Sequence, residues 1–306
     1  MNGYEALRTA AAWIDLSARG KLRLTGEDRA RLLHAMSTNN VNHLPENSGL
    51  YAFFLNDKGR ILADAYIYNL GESMFLDTEP ETAALLYAHL DRYIIADDVT
   101  LEDETSAWAE IAIEGPNSVN VATELGIPVA EHPNGVAYTP SGFVSRAAAT
   151  GPLGVRLFLP EAEKAALVDR LAAAGLPQAT PQEARIVRVE NGVARYGEDI
   201  SERYLVQETQ ALHAVHFTKG CYLGQEIVER VRSRGQVHRL LAPIQLDGEV
   251  PPPPGTKLTA DGKPAAEITS AVYSPALHKI VALAYVRADA LHSKATLTAA
   301  VETHVQ

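Results

Sequence analysis

Lys219-Gly-Cys-Tyr-Leu-Gly-Gln-Glu226 carries the chain's only cysteine, Cys221, between a lysine, two glycines and a run of helical character from Gln225 to Arg230. A thiol beside an ammonium group, on a glycine-permitted turn at a helix N-terminus, lies in a positive field that favours thiolate. Cys221 is therefore a candidate reactive group. The alternative is a small buried hydrophobe, the ordinary state of a free cysteine.

Outward from this stretch, 306 residues predict two or three domains, and 46% hydrophobic with 21% charged residues predict a soluble globular class. The first twenty residues hold Glu5 and Asp15 and no apolar core, and no stretch approaches a membrane span, which predicts a cytoplasmic protein with no membrane partner. One cysteine excludes an internal disulfide and a multi-cysteine metal cage. His213 and His216 lie three apart without a neighbouring acid, so no metal is assigned. A net charge of −11 argues against general nucleic-acid binding. The charge is uneven: residues 97–104 hold five acids, and residues 230–239 hold four arginines and a histidine. Such runs are commonly solvated faces, although a basic run beside Cys221 also suits an anionic small molecule.

The patterning is α+β. Residues 21–25 alternate as a strand and 27–36 follow at helical spacing; residues 49–55 and 61–68 flank Asn56–Arg60 as an antiparallel hairpin. Helices are predicted from Pro80 to about Tyr93, over 161–174, and after the capping box Thr180–Glu183. Arg185, Arg188 and Glu190 on the last of these form no apolar face, so at least one arginine should meet something polar. Beyond Arg239, the prolines 251–254 and the alternating run 280–285 predict a separate small β-domain. Phosphate-binding loops, HExxH and GxSxG are absent.

The octapeptide 219–226 is similar to the signature of the YgfZ family, folate-binding proteins connected with maintenance of iron–sulfur enzymes and related to the aminomethyltransferase (T-protein) of the glycine cleavage system. The resemblance extends over Leu22–Asp28, Leu55–Asp64, Glu114–Pro116, Arg185–Gly192, Arg195–Ile200 and Gln207-Glu208. It implies a three-domain cloverleaf around a central funnel: two mixed α/β domains and a C-terminal β-barrel. The expected divisions are 1–48 with about 110–200, about 49–109 with 201–238, and 239–306. Tetrahydrofolate or a derivative would fill the funnel, with iron–sulfur client or assembly proteins as partners. Cys221, Lys219 and Asp64 would be the working residues. Asp64 matches an aspartate that approaches the folate nitrogen, and Arg185 matches an arginine on the benzoyl-glutamate part. Glu190, Tyr196, Tyr222, Gln225 and Glu226 complete the expected cofactor-binding set. In the aminomethyltransferases a pterin-contacting glutamate closes a Gly-Glu-Asp-Gly-x-Glu segment, whereas the matching residues 151–156 end in Arg156, which accepts no hydrogen bond. That departure, and the cysteine those enzymes lack, speak against glycine-cleavage activity. Two alternatives stay open: a folate-dependent aminomethyl or one-carbon transferase, and a folate-gated docking module without catalysis.

Overall fold

The computed structural model describes residues 1–235, 237–293 and 297–299. The chain opens with α1 (Gly3–Thr9), β1 (Ala12–Asp15), β2 (Gly20–Thr25) and α2 (Arg29–Met36), followed by the hairpin strands β3 (Ser48–Leu55) and β4 (Ile61–Asn69). Next come β5 (Met74–Thr78), α3 (Ala83–Asp91), β6 (Thr100–Asp103), β7 (Trp108–Glu114) and α4 (Ser118–Glu124). Short strands β8 (Val136–Tyr138) and β9 (Phe143–Ser145) precede β10 (Gly154–Pro160), α5 (Lys164–Ala173), α6 (Pro181–Glu190) and α7 (Gln225–Arg234). The chain ends in β11 (Arg239–Leu246), β12 (Lys257–Ala260), β13 (Lys263–Ser274), β14 (Lys279–Arg287) and β15 (Thr298–Ala299).

These strands form three five-stranded sheets, ordered β1-β7-β10-β9-β8, β3-β4-β5-β2-β6 and β11-β14-β13-β12-β15. The fold is α+β, with two mixed α/β units and a C-terminal barrel-like sheet, as expected. Every named strand pair is antiparallel. The hairpin, the capped helix from Pro181 and the C-terminal sheet match the sequence pattern. The prolines 251–254 belong to the turn between β11 and β12. The helix from Pro80 is shorter than expected: its first turn is 3₁₀, and its α part stops at Asp91. Strand β2 falls within residues 1–48, expected in the first unit, but pairs with β5 and β6 of the second sheet. We propose on that basis that the second unit takes in the chain from Gly20. The last expected barrel residues, 300–306, lie outside the described residues. Among those described, no helix is long and apolar enough to cross a membrane.

Strand periodicity explains the layout. On β4, Ala63, Ala65 and Ile67 join the core under α2 and α3, so Asp64, Tyr66 and Tyr68 take the other face. On β10, Val155, Leu157 and Leu159 pack toward α4 and α5, which sends Arg156 and Phe158 the opposite way. The same alternation turns Lys21, Asp77 and Glu110 away from the two helix-covered cores. The two sheets thus meet through an aromatic cluster of Tyr68, Phe75, Phe143 and Phe158, continued by buried charges.

Candidate functional site

A cavity of about 780 Å³ lies among the three sheets, with walls from β3, β4, β10, α6 and the barrel strands β11 and β14. Its volume is in the range that holds a small molecule. Asp64 is on the β4 wall and is 5% exposed. The Tyr51 hydroxyl donates to its Oδ2 at 2.5 Å, while Oδ1 is buried with no hydrogen-bond partner. Burial, then the nearby charge of Glu79, pushes the Asp64 carboxyl up to about 7. Tyr51 also stacks on His213, 5.5 Å between ring centres, and leans on Tyr66 at 5.2 Å.

The charges turned inward by the strands gather at this wall. Asp77, fully buried, accepts from Arg19 Nε at 2.5 Å and from Arg156 Nη1. Arg19 also pairs with Glu79, which Arg195 meets at 2.8 Å from the other side. Glu110 lies 3.6 Å from Arg156 and 3.9 Å from Lys21, and neither of its oxygens is hydrogen-bonded. Burial and then the charge of Asp77 hold the Glu110 carboxyl up near 8. Arg156 is 2% exposed, and its guanidinium sits 4.6 Å over the Tyr66 ring. Burial opposes its charge most strongly, but Asp77, Tyr66 and Glu110 together outweigh that and hold it firmly protonated. The α6 wall is also paired: Arg185 Nε donates to Glu198 at 2.6 Å and its Nη1 to the Ala271 carbonyl at 3.2 Å, while Arg188 meets Glu198 and reaches Asp199 at 2.6 Å.

Of the expected site residues, Asp64 and Arg185 line this cavity and the others do not. Glu190 instead ties three elements together: it accepts from Tyr4 and Ser274, each at 2.6 Å, and pairs with Arg8 at 3.0 Å. Tyr196 is packed beside Ile61, donates to its carbonyl at 3.2 Å, and is pushed up to about 12 by burial. Tyr222 lies in the same apolar cluster, with its hydroxyl buried and unpartnered. Gln225 opens α7, and Glu226 is exposed and pairs with Arg230 one turn on. Sequence reasoning missed Tyr51, Tyr66, Glu79 and the Arg19–Asp77–Glu110 cluster. A usable signal was a charge set singly inside an apolar strand, as in Ala109-Glu110-Ile111 or Val155-Arg156-Leu157.

The octapeptide 219–226 is a clasp at the end of α2. Lys219, 7% exposed, turns its Nζ inward to the carbonyls of His34, Ser37 (2.6 Å) and Asn39 (2.9 Å), which satisfies the helix C-terminus with a cation. The ammonium also lies 4.8 Å over the Tyr222 ring. Burial pulls Lys219 down to about 7, against these acceptors. Gly224 takes φ +82° as N-cap of α7, and a Cβ there would come within 2.7 Å of the Asn56 carbonyl, so only glycine lets α7 close on the hairpin turn. Both expected sources of positive field at the thiol are thereby corrected: Lys219 is committed to carbonyls, and the helix begins four residues after Cys221. What the clasp leaves in solvent is Cys221, exposed, together with Gly220 and Glu226. Among the described residues no group of three His, Cys, Asp or Glu side chains is placed to hold a metal.

Residues 2–219 match the GCVT N-terminal domain, and residues 239–305 match the glycine cleavage T-protein C-terminal barrel domain. The chain belongs to the glycine cleavage T-protein family. An aminomethyltransferase of Rubrobacter xylanophilus is 30% identical over 294 residues, covering 92% of this chain and 78% of the relative. One from Nostoc is 28% identical over 300 residues, with the shares 92% and 78%. The crystal structure of the glycine cleavage system aminomethyltransferase T from Bartonella henselae superposes with a TM-score of 0.85 at 21% identity, over 94% of this chain and 81% of that one, which shows the shared fold. The family uses tetrahydrofolate as substrate or cofactor. The cavity of this T-protein relative fits such a group: Asp64 offers an unused acceptor, and three donors of Arg185 are engaged, leaving two N–H groups for a carboxylate.

Proposed function

We propose that this protein is a folate-binding factor of the YgfZ type, which takes a reduced folate into the central cavity and presents Cys221 to iron–sulfur client or assembly proteins. The folate reading is carried by Asp64: a buried carboxylate with one oxygen unpartnered, on the wall of a cavity of about 780 Å³, is a polar cost that a ligand N–H would offset. The clasp supports the role of the thiol, since Lys219 and Gly224 build a rigid seat from which the only cysteine points to solvent. Asp64 and Arg185 hold the folate in this reading. Tyr196, Tyr222 and Glu190 serve the framework.

A second reading is aminomethyl transfer, favoured by 30% identity to an aminomethyltransferase along nearly the whole chain. Arg156 counts against it, because this position faces the cavity as a cation and accepts nothing from a pterin amino group. Two measurements separate the readings. Calorimetry should find tetrahydrofolate binding in the wild type, weakened about tenfold or more in Asp64→Asn by loss of a charged acceptor. Incubation with tetrahydrofolate and an aminomethyl donor should yield no methylenetetrahydrofolate. Stoichiometric product would make the protein a transferase, and absence of folate binding would remove both readings.

A further inference from the structure

Arg156 reaches the cavity with donors to spare. Its described hydrogen bond and ion pairs leave from Nη1, toward Asp77 and Glu110, and its Nε is buried without a partner. The guanidinium cannot swing to suit a ligand, since Tyr66 lies against its face and Asp77 holds one end. An arginine donates only, and a buried donor left unmet is costly. Asp64 stands on the same face of β4 as Tyr66, two residues away, and offers the opposite polarity.

The ligand group that meets Arg156 must therefore bring an acceptor. A second carboxylate is disfavoured there, because Asp77, Glu79 and Glu110 already crowd this corner. A neutral carbonyl is not. The α6 wall, where Arg185 and Arg188 share Glu198, is the better place for an anionic tail. We infer that Arg156 makes this cavity selective for a pteridine bearing a 4-oxo group, whose carbonyl oxygen accepts from the guanidinium while ring N–H groups face Asp64, and that it rejects the 2,4-diamino counterpart. The inference rests on the folate reading. A 4-amino group would set donor against donor at a guanidinium that is almost wholly buried, and sites built to use such a bond discriminate strongly against analogues that lack it.

The test compares folic acid with its 4-amino analogue, otherwise identical, by calorimetry on the full-length wild-type protein at a pH where both rings are neutral. The 4-oxo compound should bind about 10- to 100-fold more tightly, the worth of one hydrogen bond to a charged group. In Arg156→Gln, checked for folding by circular dichroism, the ratio should fall toward one. Equal binding of the two compounds by the wild type, or tighter binding of the diamino ring, overturns the inference and leaves the folate reading intact. If Arg156→Gln weakens both compounds equally, the arginine holds the tail and the inference is wrong. Binding of neither compound by the folded wild type overturns the folate reading and the inference together. Should the variant not fold, the wild-type ratio alone decides.

Discussion

The cavity and the clasp each bury a cation, and they compensate it in opposite ways. Arg156 is surrounded by carboxylates, with Asp77 bonded and Glu110 at 3.6 Å, in a cluster that also holds Arg19, Glu79 and Lys21. Lys219 has no carboxylate partner among the described residues and relies on three backbone carbonyls at the end of α2. The first arrangement leaves acceptors and donors unused, at Asp64, Glu110 and Arg156. The second uses its cation fully. A region that folds with several unmet charged groups at a cavity wall is poised for a ligand, whereas the clasp, whose one unmet group is the neutral Tyr222 hydroxyl, is architecture. On this view the chemistry of the octapeptide is confined to Cys221.

The largest effect should come from breaking the cavity's charge cluster. Asp77→Asn removes the carboxylate shared by Arg19 and Arg156, and an uncompensated buried charge costs about 3–5 kcal/mol. Glu110 limits the loss, because the charge of Asp77 helps keep it protonated and its ionisation would replace the missing anion. Urea unfolding should show a loss of about 3 kcal/mol. A change below about 1 kcal/mol would mean that Glu110 substitutes fully and that the cluster is electrostatically redundant.

Lys219→Met should cost somewhat less, about 2–3 kcal/mol, by leaving the C-terminal carbonyls of α2 unpaired. Folate affinity should not change, since no residue of the clasp lines the cavity. A variant of normal stability that has lost folate binding would reverse the assignment of the two regions.

The two regions also differ in how far the sequence revealed them. The fold was readable because its signals are local: the hairpin turn at Asn56–Arg60, the capping box at Thr180, and alternation in β4 and β14 each act within a few residues. Asp64 and Arg185, which line the cavity, were singled out through motifs that also lie on single elements. The charge cluster was not, because Arg19, Asp77, Glu110 and Arg156 come from widely separated parts of the chain and meet only where two sheets face each other. The contacts of Lys219 were hidden for the same reason. Its neighbour in sequence is Cys221, but its partners in space are 180 residues or more away, at His34, Ser37 and Asn39.

A smaller effect concerns Asp64, whose folded pKa of about 7 stands above the ordinary aspartate value of 3.8. A carboxyl raised in this way contributes stability that is complete below its unfolded pKa and is lost as pH rises through the folded value. The ionised side chain is thus a burden at pH 8 and none at pH 4. Asp64→Asn should make the ligand-free protein more stable than wild type by about 1 kcal/mol at pH 8, with the difference shrinking as pH falls toward 5. Paired melting curves at the two pH values check this. A pH-independent difference would mean that Asp64 titrates normally.

Cys221→Ser should have the smallest effect on the molecule and the sharpest one on its proposed role. The side chain is exposed, makes no described hydrogen bond and sits in no core cluster, so a thiol-to-hydroxyl change should move unfolding free energy by less than about 0.5 kcal/mol. Folate binding should also be unchanged, because Cys221 is outside the cavity wall. Serine retains the shape but supplies neither a thiolate nor a soft ligand near neutral pH. In a strain lacking this protein, the variant should therefore fail to restore iron–sulfur enzyme activities that the wild type restores, while Asp64→Asn fails through the folate site with its thiol intact. Full restoration by Cys221→Ser would move the work away from the thiol and favour a docking module governed by the cavity alone.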